Sequence, residues 1–220
     1  MASQFFPLID GRFSYCLVPF GDAIPRPLVL RFGEDIPQVP PQQLQTALLI
    51  PIQGSYFFHL ELLDISVANH RIGFPPYIFQ VRPNAVGGCF IDSGALFTHI
   101  DTNAGGINAY AAVMEVFEAY YGSRKLPKTT KGPKDFELCY VYPPNYHDFA
   151  AITFHFNGAD YTVDGQYGHL FGPDFFCVAI IGGKMGTIIG AWHQQNKRII
   201  YERGIGVLRF ADEQCINDLF

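Results

Sequence analysis

The residues best suited to chemistry are Asp92, Ser93 and Gly94, which follow the apolar residues 89–91. A carboxylate at the end of a buried strand, followed by a small hydroxyl residue and a glycine, can act as a general acid or base. Asp, Ser and Gly are also the ordinary residues of turns, so the tripeptide alone does not identify a site. It predicts a carboxylate at a strand end and leaves its use open.

Two histidines occupy positions from which they can approach Asp92. His99 lies seven residues beyond it, and His193 comes shortly after the apolar-apolar-glycine run of residues 188–190. A carboxylate beside an imidazole in an apolar cleft is a general acid/base pair that can serve small-molecule chemistry. For each histidine, a structural role in which the ring is satisfied within the fold is the more common case.

The other histidines and the five cysteines do not have the spacing of a metal site, so we expect no metal and no other cofactor. We interpret these histidines as structural or exposed. They are His59, His70, His147, His155 and His169. The odd number of cysteines leaves at least one thiol free or paired outside the chain.

The composition predicts a folded protein that does not bind nucleic acid. The 220 residues are 49% hydrophobic and only 16% charged, which is far from the signature of disorder. A net charge of −5 gives no general attraction to phosphates, and the basic residues 124–134 are typical of a solvated loop. No apolar run is long enough to span a membrane.

The first ten residues lack the pattern of a signal peptide, and the chain contains no Asn-x-Ser/Thr acceptor. We therefore expect a cytoplasmic or other intracellular protein if the chain is complete, and a secretory one if it is a fragment.

Alternating apolar and polar residues predict a mainly β protein. The predicted strands cover residues 13–18, 28–32, 55–67, 89–91, 151–156, 175–181, 187–190, 198–201 and 207–210. Apolar residues at helical spacing predict a helix over residues 109–121, with Asn108 as N-cap and Gly122 just beyond its end. The Pro- and Gln-rich residues 36–45 predict a linker between a short segment, 1–35, and a main domain, 46–220.

Several stretches, taken together and in order, resemble the carboxyl-terminal lobe of the nepenthesin-like (plant pepsin-like) aspartic proteases. They are residues 13–17, 56–72, 90–94, 109–121, 138–140, 152–160, 176–177, 188–190, 194–196 and 201. The resemblance implies a pepsin-like β lobe with one or two short helices, in which residues 1–35 are a remnant of the first lobe and its interdomain strands. It places Asp92 where one of the two catalytic aspartates stands.

The resemblance also assigns roles around Asp92. Ser93 braces the loop, residues 188–190 form the strand behind it, and the neighbouring cleft is lined by Ala95, Leu96, Ile189 and Trp192. The cystine pattern of the family implies the pairs Cys139–Cys177 and Cys16–Cys215, which leaves Cys89 as the odd thiol.

Aspartic proteolysis needs two carboxylates that share one proton, and the chain has one Asp-Ser-Gly loop. The first lobe would precede Phe13, where only twelve residues stand, and residues 9–11 do not match the motif. We therefore expect a truncated, protease-like chain that is not proteolytic as a monomer and binds a peptide or a small apolar ligand in the residual cleft.

Three alternatives remain open. The run Asp92-Ser93-Gly94-Ala95 resembles retroviral proteases, which build the dyad from two identical chains, so a homodimeric aspartic endopeptidase is the second hypothesis. The third is a non-proteolytic enzyme in which Asp92 works with His99 or His193. The fourth is an interaction or inhibitor protein in which Asp92 is only a turn residue.

Overall fold

Strands make up most of the computed structural model, which describes residues 11–21, 28–82 and 86–218. The strands are β1 (Arg12–Cys16), β2 (Leu30–Phe32), β3 (Gln45–Ile50), β4 (Phe58–Leu60), β5 (Leu62–Val67), β6 (His70–Arg71), β7 (Val81–Arg82), β8 (Val86–Gly87), β9 (Cys89–Asp92), β10 (Thr98–Asp101), β11 (Cys139–Val141), β12 (Ile152–Phe156), β13 (Ala159–Val163), β14 (His169–Phe171), β15 (Phe175–Val178), β16 (Ile180–Gly183), β17 (Thr187–Gly190), β18 (Lys197–Glu202) and β19 (Val207–Asp212). Within these described ranges, two α-helices accompany the strands, α1 (Ala109–Ser123) and α2 (Gly165–Gly168). The predicted mainly β fold is confirmed.

Ten strands form the largest sheet, in the order β16-β10-β17-β9-β4-β3-β19-β18-β1-β2. The amino-terminal strand β1 pairs antiparallel with β18 and with β2, so the predicted first segment shares this sheet with the main domain. Part of that segment, residues 1–10 and 22–27, lies outside the described residues. The predicted linker carries a short 3-10 turn, Pro41–Gln43, and leads into β3. The division at residues 35 and 45 stays a prediction.

A four-stranded sheet has the order β13-β12-β5-β6 and is called the outer sheet below. Its strands alternate buried apolar residues with polar ones, as in a sheet that faces the core on one side. Ile65 and Phe154 are fully buried in the main hydrophobic core, which also contains the apolar stripe of α1. The core therefore sits between the outer sheet, the helix and the large sheet.

The helix begins as predicted and ends later than predicted. The Asn108 side chain accepts a hydrogen bond from the Ala111 amide at 3.0 Å, which confirms the N-cap. Gly122 lies inside the helix, so its predicted place beyond the end is wrong. Lys125 takes the left-handed conformation instead, with φ of 56°. The Leu126 amide donates to the Tyr121 carbonyl and the Lys125 amide to the Gly122 carbonyl, the pattern of a Schellman cap.

Two disulfides join the cysteines in the pairs that the family resemblance implied. Cys16 is bonded to Cys215 and Cys139 to Cys177. Cys89 is free and fully buried, and burial raises the pKa of its thiol strongly. A buried thiol with a raised pKa is chemically inert.

Within residues 11–21, 28–82 and 86–218, no helix is long and apolar enough to cross a membrane. The same residues contain no cluster of three or more side chains suited to holding a metal ion.

Candidate active site

Asp92 is the last residue of β9 and opens a tight turn. The Gly94 amide donates to the Asp92 Oδ1 atom at 2.8 Å, and the Ala95 amide donates to the Asp92 carbonyl at 3.3 Å. Asp92 is half-buried, while Ser93 and Gly94 are exposed. The chain therefore holds a carboxylate in a defined orientation at a strand end that remains open to solvent.

Gly190 occupies the position beside Asp92 on the parallel strand β17. Its amide donates to the Thr98 hydroxyl at 3.1 Å. A Cβ atom at position 190 would lie 2.4 Å from the backbone carbonyl of Phe97, so a side chain cannot be accommodated without moving the backbone. The close approach of these segments explains why a glycine ends the apolar run at residues 188–190.

The residues after Gly190 form backbone hydrogen bonds with the loop that follows Asp92. The Ala191 amide donates to the Ala95 carbonyl at 2.7 Å, and the Trp192 amide donates to the Leu96 carbonyl at 2.8 Å. These two bonds tie the Asp92 loop to the short 3-10 helix Ala191–Gln194. The orientation of Asp92 thus depends on a segment about a hundred residues away in the chain.

A pair of phenols, one partly and one fully buried, lies beneath the loop, and the sequence did not indicate it. The Tyr15 hydroxyl donates to the Gln194 side chain at 2.6 Å and lies 3.5 Å from the Tyr201 hydroxyl. Burial raises the pKa of Tyr15 to about 12, hydrogen bonds with Tyr201 and Ser93 oppose that rise, and the charge of Asp92 adds to it. Tyr15 therefore stays protonated and links the amino-terminal strand to the Asp92 loop.

The rim of the site is apolar. Leu96 is 50% exposed and Phe20 is 47% exposed, and the Phe20 ring stacks on Trp192 with 5.2 Å between ring centroids. Of the four residues predicted to line a cleft, Ala95 is half-buried and Trp192 partly exposed. Ile189 is fully buried in the core, so within this lobe it does not reach the open face.

The structure brings neither candidate histidine to Asp92. Within the described residues, no hydrogen bond joins either ring to that carboxylate. His99 pairs with Ile188 on β17, and Ile188 pairs with Phe90 on β9, two residues before Asp92. His99 is therefore two strands and two residues away from Asp92, which corresponds to about 12 Å between the backbones at ordinary sheet spacings. Burial lowers the pKa of His99, so its ring favours the neutral form.

His193 is fully buried, and neither of its ring nitrogens makes a hydrogen bond of good geometry among the described residues, although the Gly168 backbone lies close enough to raise its pKa slightly against the other effects. Burial lowers its pKa to about 3, and the nearby His169 ring contributes to the same shift. The acid/base roles predicted for His99 and His193 gain no support from this geometry and remain predictions.

Residues 55–212, well over half of the chain, match the family model described as "Xylanase inhibitor C-terminal". The chain belongs to this family. Among curated proteins, this member of the xylanase inhibitor C-terminal family is similar to aspartic proteinase nepenthesin-1 of Nepenthes gracilis, with 30% identity over 210 residues and 93% of this chain covered. It is also similar to aspartic proteinase nepenthesin-2 of the same plant, with 26% identity over 211 residues and the same share of this chain covered. The resemblance to nepenthesin-like proteases is confirmed.

A solved structure, the crystal structure of edgp, has the same fold. It superimposes with a TM-score of 0.81 over 99% of this chain and 58% of its own, at 16% identity, which shows the fold alone. The chain spans 46% of the length of each of the two nepenthesins. It corresponds to the carboxyl-terminal lobe of such proteins, so the activity of the whole molecules is a matter for proposal.

Proposed function

We propose that this chain is one lobe of an aspartic-protease-type molecule, in which Asp92 is half of a catalytic dyad. The observation that carries the proposal is the Asp92 carboxylate, held at the open end of β9 by the Gly94 amide. One carboxylate cannot both activate a water molecule and polarise a peptide carbonyl, and the chain has a single Asp-Ser-Gly loop. The lobe alone therefore binds ligands without cutting peptides.

The apolar rim supports an apolar peptide as the ligand. Leu96 and Phe20 expose large apolar surfaces next to the Asp92 loop, and exposed apolar patches are typical of binding sites. Because Phe20 is already stacked on Trp192, its ring presents a preformed flat surface. A preformed surface loses little conformational entropy when a ligand binds.

Binding and cleavage by the monomer test this proposal together. We expect apolar hexapeptides to bind the monomer at pH 4 to 7 without cleavage, as measured by calorimetry and mass spectrometry. Leu96→Ser weakens binding about tenfold or more, whereas the exposed Met185→Ser, outside this rim, serves as the matched control and leaves binding unchanged. Cleavage by a verified monomer, or binding that Leu96→Ser does not affect, contradicts the proposal.

A second candidate is a homodimeric endopeptidase in which each chain contributes one Asp92. The exposed residues beside Asp92 favour it, because an apolar rim around the carboxylate also suits contact with a second lobe. A two-fold axis at this rim would bring two identical carboxylates together.

Subunit mixing distinguishes the two candidates. If the dimer is active, Asp92→Asn subunits mixed in equal amount with wild type leave about one quarter of the dimers with two carboxylates. Peptide hydrolysis per dimer then falls about fourfold rather than twofold. A twofold fall shows that each chain acts alone, and an absence of dimers in sedimentation rejects this candidate.

The two disulfides bear on where the protein works. Structural disulfides form and persist in oxidising compartments and are rare in the cytosol. Of the two locations that the sequence left open, the secretory one is therefore favoured over the cytoplasm. The test is thiol labelling of the protein isolated from its source. Unreactive thiols at the four disulfide-bonded cysteines support the secretory location, and four reactive thiols at these positions contradict it.

A further inference from the structure

The outer sheet carries a hydrogen-bonded Ser-His-Asp chain that the aspartic-type site does not use. The Ser66 Oγ atom lies 2.6 Å from the His155 Nε2 atom, and the His155 Nδ1 atom lies 2.7 Å from the Asp160 carboxylate. This is the order of contacts found in serine hydrolases, where the triad is recognised by geometry and not by sequence position. We propose that Ser66, His155 and Asp160 form a nucleophilic serine site that small activated esters can acylate.

Sheet register brings the three residues together. His155 on β12 pairs directly with Asp160 on β13, while Ser66 on β5 pairs with Thr153, two residues before His155. Residues two apart on a strand lie on the same face, so all three side chains stand on the polar face of the sheet. The opposite face contributes to the core, which gives the three side chains a rigid support.

The charges around the triad suit nucleophilic catalysis. An ionised Asp160 carboxylate holds the His155 Nδ1 proton, which leaves Nε2 free to accept the proton of the Ser66 hydroxyl. Asp160 has 62% of its side chain exposed and His155 only 13%. The carboxylate therefore holds the histidine ring from its solvent-facing side. The triad differs from an ordinary surface pair because the histidine has a hydrogen-bond partner at both nitrogens.

Arg71 can stabilise the negative charge that develops on the substrate. It is the cross-strand partner of Ser66 on β6, and its Nε atom bonds to Asp64 at 2.7 Å. In the described part of the chain, the terminal nitrogens of the guanidinium make no hydrogen bond, and 57% of the side chain is exposed. A guanidinium next to the nucleophile can stabilise an oxyanion, as hydrogen-bond donors do in acyl transfer.

The exposed area of Ser66 limits the substrate class. Ser66 is 7% exposed, so only a small acyl group can reach its hydroxyl. In the proposed step the Ser66 oxygen attacks the ester carbonyl while His155 accepts the hydroxyl proton. The ester C–O bond then breaks, His155 returns the proton to the departing alcohol or phenol, and Ser66 is left acylated. Water attacks the acyl group by the same route and releases the acid.

The chain contains an internal comparison for this site. Ser55 lies 2.8 Å from the His59 Nε2 atom, which reproduces the serine-histidine half of the arrangement. The His59 Nδ1 atom is buried and has no partner among the described residues, so this pair lacks the orienting carboxylate. If the carboxylate matters, Ser66 reacts and Ser55 does not.

Covalent labelling tests the proposal. The folded protein is treated with a fluorophosphonate probe, in which the serine oxygen displaces fluoride from phosphorus, and the labelled peptide is identified by mass spectrometry. We expect labelling at Ser66 and a burst of p-nitrophenol from p-nitrophenyl acetate that Ser66→Ala abolishes. Ser55→Ala is the matched control and retains both signals.

A substitution at Asp160 tests the triad in a variant that is expected to fold normally. Asp160→Asn keeps the shape of the side chain at an exposed position, so circular dichroism is expected to match wild type. We expect its labelling rate to fall at least about tenfold, since general acid-base catalysis contributes on the order of 10² or more. Absence of label at Ser66 in folded wild type, equal labelling of Ser55, or a wild-type rate in Asp160→Asn overturns the proposal.

Discussion

The Asp92 loop and the outer sheet hold reactive groups in different ways. At Asp92 one carboxylate is fixed by its own turn, and the partner that an aspartic dyad needs must come from outside the loop. On the outer sheet His155 contacts both Ser66 and Asp160 within a single lobe. The comparison shows that a local turn can orient one carboxylate once a distant segment braces its loop, whereas a chain of contacts requires several strands in register.

The largest effect that we expect is a loss of stability in acid, caused by two buried histidines that lie outside the outer sheet. His169 and His193 are fully buried, and burial lowers the pKa of His169 to about 4 and that of His193 to about 3. The unfolded chain binds these protons near pH 6.5 and the folded chain does not, so stability is lost as the pH falls below about 6.5. Each histidine contributes about 1.4 kcal/mol per pH unit down to its folded pKa.

Urea unfolding between pH 7 and pH 4.5 measures this effect. His193→Gln is expected to reduce the slope of unfolding free energy against pH by up to about half over that range, since burial also lowers the pKa of His59 and His99. A wild-type slope in this variant would show that His193 does not carry the effect.

The second prediction concerns the close approach behind Asp92. Gly190→Ala places a Cβ atom 2.4 Å from the Phe97 carbonyl, so we expect a loss of about 3 kcal/mol or more of unfolding free energy. Gly122→Ala is the control, because it lies within α1 with nothing inside 4 Å of the added atom. It should be neutral or stabilising by up to about 1 kcal/mol. Equal effects in urea unfolding would contradict the assignment of Gly190 to a tight contact.

The third prediction tests what supports the outer sheet near Ser66. Asp64 is 4% exposed and accepts hydrogen bonds from Arg71 and from the amides of Ile65, Gly73 and Phe74. Asp64→Ala leaves these donors unsatisfied, and we expect a cost of about 2–3 kcal/mol. Arg71→Ala removes only a half-exposed ion pair and should cost less than about 1 kcal/mol in the same measurement. The reverse order would mean that the ion pair, not the amides, supports this edge.

The smallest effect concerns the phenol beneath Asp92. Tyr15→Phe removes the hydrogen bond to Gln194, and we expect a loss of about 1 kcal/mol together with faster amide exchange in the Asp92 loop. Tyr142→Phe is the control, since the Tyr142 hydroxyl makes no side-chain hydrogen bond among the described residues. Unchanged exchange in Tyr15→Phe would show that this phenol does not support the loop.

Local patterns predicted much of the fold. Strand β17 and the start of α1 were placed at the correct residues, because alternation, helical spacing and an Asn cap are properties of short segments. Among the strands that the pattern does not predict are β3, β10 and β13. β10, for example, pairs with β16 and β17, about eighty residues further along, and only this pairing makes it a strand. The sequence pattern places the left-handed residue at the end of α1 at Gly122, because glycine is the usual residue there; in the structure Lys125 takes that conformation.

The sequence by itself determined the family, the carboxylate at the end of β9 and the single Asp-Ser-Gly loop, because these depend on residue types in short order. Only the tertiary structure decided which side chains meet. It buried His193 away from Asp92, set Tyr15 beneath the loop, and joined Ser66 to His155 across 89 residues of chain. Contacts of this kind depend on sheet register and on burial, which no short stretch of sequence specifies.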